Sequence, residues 1–147
     1  MKIYPPGLAD WVATEYSVTT PEWLRRALDE KLGVIVVDVR EPQDARAGHI
    51  PGAVNIPVDD LAASRDRFPP VPKAPIVLYG EDAPQAARQL VDWGYRAVRV
   101  LPMRYADWAA AGNPVASGPG AEAIVYDPKP KPGAIVDAEG KVRLVGR

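Results

Sequence analysis

The chain contains no cysteine, one histidine, one phenylalanine and two methionines in 147 residues. Without a thiol there is no disulfide, no thiolate ligand and no cysteine nucleophile. One histidine with no cysteine leaves no zinc site, so neither a metal nor another cofactor is expected. Charge of one sign is also scarce. The 18 Lys and Arg offset the 19 Asp and Glu to a net charge of −1, which favours neither nucleic acid nor an anionic membrane as a partner. No apolar run approaches bilayer-spanning length. The segment Met1-Lys2-Ile3-Tyr4-Pro5-Pro6-Gly7 lacks a signal-peptide apolar region. The cytoplasm is therefore the expected compartment, with the mature part of an exported chain left open.

Proline, by contrast, is abundant. The 17 prolines cluster outside the periodic segments and mark connectors rather than a disordered chain. The length suits one domain with a closed core.

The chain is organised around Ile76-Val77-Leu78-Tyr79, bounded by Pro75 and Gly80. This reads as a strand covered on both faces. A helix follows, with Ala83, Ala87, Leu90 and Val91 at helical spacing and Gly94 as its left-handed stop, Tyr95 folding back on Leu90. A strand feeding a helix through a short loop aims backbone N–H groups at one spot. In α/β proteins that spot, beyond the strand's carboxyl end, is the usual ligand position. Yet Gly80-Glu81-Asp82-Ala83-Pro84-Gln85 contains no Cys, Ser, Thr, His or Lys, hence no ordinary nucleophile. Its two adjacent carboxylates oppose an anionic substrate. The loop is an anion cradle by architecture whose chemistry has been removed or redirected.

Before this unit, residues 1–16 form a leader anchored by Trp11 and Tyr16, and Ser17-Val18-Thr19 suggests a first strand. Thr20-Pro21-Glu22 is a helix start. The stripe Trp23, Leu24, Ala27, Leu28, extended to Lys31-Leu32, runs to Gly33. Val34-Ile35-Val36-Val37-Asp38-Val39 is the strongest strand, β-branched throughout most of its length and suited to the inside of a parallel sheet. A helical turn near residues 43–47 and a strand at Val54-Asn55-Ile56 follow. Asp59 or Asp60 is expected to cap a helix through about Arg65. A strand at 97–101 and a helix with Tyr105, Trp108 and Ala109 complete the alternation, which argues for a parallel sheet covered on both faces. Further on, Ala123-Ile124-Val125-Tyr126 suggests an added strand, Pro128, Pro130 and Pro132 a stiff spacer, and 134–136 with 142–145 a hairpin.

Val37-Asp38-Val39-Arg40-Glu41-Pro42, then Gly48-His49-Ile50-Pro51-Gly52-Ala53-Val54-Asn55-Ile56-Pro57, closely resembles the rhodanese family. The likeness continues through Leu90, Gly94-Tyr95, Trp108 and Gly112-Asn113-Pro114-Val115. It implies a three-layer α/β/α domain around a parallel sheet of about five strands at residues 17–116, with a leader at 1–16 and a linker plus hairpin extension at 117–147. Active members carry sulfur as a cysteine persulfide and pass it to a thiol or cyanide; related phosphatases use the same loop on phosphoesters.

The resemblance fails where the chemistry would be. The family's cysteine position is Gly80, its frequent arginine is Gln85, its hydroxyl residue is Ala86, and a later Gly-Gly pair is Pro102-Met103. The resemblance also implies that Asp38 and Arg40 brace the loop. His49 is expected to hold its turn by hydrogen bonding rather than act as a base, since nothing awaits activation. Asp82 has two readings: a helix cap with Gln85 reaching back, or, with Glu81, a recognition point for a basic partner. Capping is preferred, and Glu81 stays open. The expectation is a catalytically inactive rhodanese-like domain acting as a binding or regulatory module, with an unidentified protein partner. A further domain and a homo-oligomer stay open. The alternative is a sulfurtransferase whose cysteine at position 80 has been substituted.

Overall fold

The computed structural model describes residues 16–126, 134–136 and 142–144. Five strands, β1 (Ser17–Val18), β2 (Ile35–Asp38), β3 (Val54–Asn55), β4 (Ile76–Tyr79) and β5 (Val98–Val100), alternate with helices α1 (Pro21–Asp29), α2 (Pro42–Ala47), α3 (Ala83–Asp92) and α4 (Tyr105–Ala110). The sheet order is β1-β5-β4-β2-β3, and every neighbouring pair is parallel. β4 is the central strand. All four of its residues are buried, as are those of β2, which is why both read as continuous apolar runs rather than alternating ones.

Alternate residues serve opposite faces. Ile35, Val37, Ile76, Leu78, Val98 and Val100 pack with Leu61, Phe68 and the α3 residues Ala86 and Leu90. Val36, Val77 and Tyr79 pack on the other side with Leu24 of α1 and Trp108 of α4. The result is the expected three-layer α/β/α arrangement. α1 starts as its residues demand: Thr20 has extended backbone angles, and its hydroxyl accepts from the Trp23 N–H at 3.1 Å. α3 closes with Gly94 at φ +103 and the Tyr95 N–H returning to the Leu90 carbonyl at 3.1 Å, the 6→1 bond of a Schellman motif.

Several expectations are corrected. Asp59 and Asp60 cap no α-helix; two 3-10 segments, Val58–Asp60 and Ala62–Arg67, occupy the stretch without side-chain caps. Prolines at 57, 69 and 70 leave little room for a longer helix there. Residues 123–126 add no strand; Ile124 and Tyr126 instead lean on the α3 side of the core. α1 ends at Asp29, so Lys31 and Leu32 fall outside its stripe, and Leu32 is 48% exposed. β6 (Ala134–Val136) and β7 (Val142–Leu144) pair antiparallel as a hairpin. The leader residues 1–15, including Trp11, the proline spacer at 128–132 and residues 137–141 lie outside the described residues. No helix among the described residues is long and apolar enough to cross a membrane.

Candidate functional site

The chain leaves β2 toward β3 on one side and returns through β4 toward β5 on the other. The carboxyl ends of β2 and β4 therefore form the switch point of the sheet, where an α/β fold opens a crevice. Asp38, Val39 and Arg40 leave β2 there, and Gly80 to Gln85 leave β4 beside them.

Gly80 sits at φ +123, backbone space that residues with a side chain rarely occupy. A Cβ added there would meet the Val39 Cγ2 and the Arg40 Cγ, each at 3.0 Å. The loop closes through the Ala83 N–H on the Gly80 carbonyl and the Ala86 N–H on the Asp82 carbonyl, both at 3.1 Å. Asp82 occupies the cap position of α3, but its side chain makes no capping bond. The preferred capping reading is thus corrected, for two reasons. Its ψ of 12° departs from the extended geometry that swings a cap side chain over the first turn, and the second helical residue, Pro84, has no N–H to offer. Gln85 makes no return bond to Asp82 among the described residues. Glu81, Asp82 and Gln85 are all exposed.

Behind the loop lies a buried polar network. Arg40 binds Asp38 through two parallel bonds, Nε to Oδ1 at 3.0 Å and Nη2 to Oδ2 at 2.6 Å, the bidentate form that makes such pairs strong. The same Nη2 donates to the Gly48 carbonyl at 2.6 Å. Burial alone would push the guanidinium down, but the hydrogen bonds and charge of Asp38 outweigh it and hold Arg40 above its ordinary value. Tyr79, at the end of β4 and in register with Asp38, donates to Asp38 Oδ2 at 2.6 Å and accepts from the Ile50 N–H at 3.0 Å. Burial first, then the Asp38 charge and hydrogen bond, push its phenol far above the ordinary value. The Arg40 guanidinium lies 4.6 Å from the Tyr105 ring centre and 5.4 Å from that of Tyr79. Asn55 ties the exit of β2 by donating to the Asp38 and Arg40 carbonyls, each at 2.9 Å.

His49 makes no hydrogen bond to the loop among the described residues. Its Nδ1 is 2.8 Å from the Ala45 carbonyl, and its backbone pairs with Ala116 in an isolated antiparallel bridge. Tyr79 and Tyr105 were not legible as members of the site. The only sequence signal for Tyr79 was a polar-tipped residue ending an otherwise apolar strand.

On the other side of the loop, toward β5, a cleft of about 500 Å³ is lined by Gly80, Glu81, Pro84 and Val100 to Arg104. Its floor is apolar. No cluster of three or more potential metal ligands exists among the described residues.

The family model for the rhodanese-like domain matches residues 20–111. The chain is 40% identical over 110 residues to the HTH-type transcriptional regulator Rv0324 of Mycobacterium tuberculosis. That alignment covers 71% of this chain and 46% of the regulator, so the chain spans about half the relative's length. Among solved structures, a thiosulfate sulfurtransferase from Pseudomonas aeruginosa superposes with a TM-score of 0.63 at 31% identity, over 69% of this chain and 20% of that one. A human single-domain sulfurtransferase gives 0.57 at 27% identity, over 63% and 95%. The Alr3790 protein from Anabaena gives 0.61 at 25% identity, over 68% and 92%.

Proposed function

This chain belongs to the rhodanese-like domain family, and from that premise we propose that it is a catalytically inactive member acting as a binding or regulatory module. The observation that carries the reading is the state of position 80. Glycine there removes the nucleophile, and its φ of +123 with Val39 and Arg40 pressed against the missing Cβ favours a backbone settled without a side chain. Gly80 to Gln85 form the degenerate loop, Asp38 and Arg40 its brace, and His49 a structural element of the neighbouring turn. The domain runs over 17–116, between extensions at 1–16 and 117–147, and acts in the cytoplasm.

The regulator-named relative supports the regulatory half of the reading. It is more than twice as long as the stretch this chain matches, room for another domain, and we read the present unit as one that works beside a partner protein or domain. The competing reading, a sulfurtransferase whose cysteine was substituted, predicts an otherwise intact loop. Gln85, Ala86, Pro102 and Met103 count against it. The test is turnover of thiosulfate with cyanide, and of p-nitrophenyl phosphate, by the unmodified protein. No turnover above buffer is expected, and robust turnover in either assay would overturn the inactive reading.

A further inference from the structure

Glu81 and Asp82 make no ion pair and no side-chain hydrogen bond among the described residues, and both side chains face solvent. Had Asp82 capped α3, its charge would have been spent on the helix's own N–H groups. Because it does not, two carboxylates stand free where α3 begins, and Glu81 forms part of the wall of the apolar cleft.

The other charges at the mouth sum to zero, although Arg104 and Asp107 are both exposed and only loosely paired. Arg104, across the cleft, lies 3.6 Å from Asp107, and Arg40 behind the loop is held by Asp38. The mouth therefore carries the two negative charges of Glu81 and Asp82 in excess, offset only in part by the amino end of α3, equivalent to roughly half a positive charge. Below them lie Pro84, Val100, Leu101, Pro102 and Met103. About 500 Å³ falls in the range of pockets that enclose a small ligand and holds more than one apolar side chain. Met103 is half-buried, and a thioether floor adapts to differently shaped apolar groups.

We infer that this cleft binds a polypeptide segment carrying an apolar side chain directly beside lysine or arginine, the apolar group entering between Pro84 and Met103 and the cation meeting Glu81 and Asp82. The inference deepens the reading of the chain as a binding module and rests on it. Charge complementarity sets the sign of the partner: an anionic segment or a free anion meets the unmatched carboxylates and is repelled. The cleft sets the second requirement, since exposed carboxylates alone hold a cation only weakly in salt.

The test uses the full chain and three fluorescein-labelled pentapeptides, read by fluorescence anisotropy: Gly-Leu-Lys-Lys-Gly, the same with both lysines replaced by glutamate, and the same with leucine replaced by serine. Saturable binding is expected for the first alone, weakening several-fold between 50 and 300 mM salt. The double variant Glu81→Gln with Asp82→Asn should weaken it about tenfold. Met103→Gln, of similar volume but polar, should weaken it severalfold while leaving its salt dependence in place. Circular dichroism melts confirm that each variant is folded. Equal binding of the lysine and glutamate peptides, binding indifferent to the double variant, or no saturable binding of the first peptide at millimolar concentration would each overturn the inference. None of these outcomes touches the inactive reading, which fails separately if the same preparation turns over thiosulfate.

Discussion

The Tyr79 hydroxyl lies 2.6 Å from Oδ2 of Asp38, across 41 residues of chain, and receives the Ile50 N–H at 3.0 Å. One phenol thus joins the end of the central strand, the end of β2 and the turn that follows α2. Tyr79→Phe removes a hydrogen bond to an ionised group and leaves the buried Ile50 N–H without its acceptor. A loss of at least about 1.5–3 kcal/mol follows from the first term, and the orphaned N–H adds to it. Urea unfolding of the two proteins measures it, and a difference under 0.5 kcal/mol would show that the network contributes little.

The same phenol sets an alkaline limit. Its folded value is raised above the unfolded one, so the folded state holds the proton more tightly. The stability this contributes is fully present below about pH 10, the ordinary tyrosine value, and is lost as pH rises from there toward the folded value. The limiting slope is about 1.4 kcal/mol per pH unit for one group. Tyr95 and Tyr105 are raised as well, chiefly by burial, so Tyr79→Phe should retain part of the decline. Unfolding free energies measured from pH 8 to 11 should show the gap between wild type and Tyr79→Phe narrowing above pH 10. Parallel curves across that range would contradict this.

The two longest helices should respond differently to loss of the residue at their start. Thr20→Ala removes a formed cap bond and should cost about 1 kcal/mol. Asp82→Ala removes none; only its charge near the helix start is lost, about 0.3–1 kcal/mol at low salt and less at 0.5 M. Chemical denaturation in 0.5 M salt separates them. A loss at Asp82 matching that at Thr20 under those conditions would restore the capping reading.

The contrast shows what the sequence could disclose. The sheet was legible because β2 and β4 are buried on both faces, so Ile35 to Val37 and Ile76 to Tyr79 announce themselves as apolar runs. The start of α1 was legible because Thr20, Pro21 and Glu22 all point to the same geometry. Asp82 carries the right side chain for a cap but the wrong backbone angles, and no residue type declares its ψ. The Tyr79–Asp38 bond depends on the register of β2 against β4, a long-range property that local pattern does not encode. Position 80 lies between these cases: the missing cysteine was visible, but the left-handed backbone that accompanies it was not.

That backbone decides what a restored cysteine can do. Gly80→Cys places a side chain at φ +123 with its Cβ 3.0 Å from both Val39 Cγ2 and Arg40 Cγ. A non-glycine residue in such a region costs on the order of 1–3 kcal/mol, so this variant should unfold at lower urea than wild type. Its thiol would also stand beside Glu81 and Asp82, whose charges disfavour the thiolate that must attack sulfur. Gly80→Cys alone should therefore show little sulfurtransfer from thiosulfate to cyanide. Adding Gln85→Arg, with Glu81→Gln and Asp82→Asn, supplies a cation and removes the repulsion, and turnover should rise; Ala86 is fully buried in the core and is left unchanged. Iodoacetamide labelling against pH reads the electrostatic part directly: the half-labelling pH of Gly80→Cys should lie above about 8.5, the ordinary thiol value, and fall in the combined variant. High turnover by Gly80→Cys alone, with stability unchanged, would mean that the loop still accepts its nucleophile and that a working cysteine has been removed from an otherwise competent site.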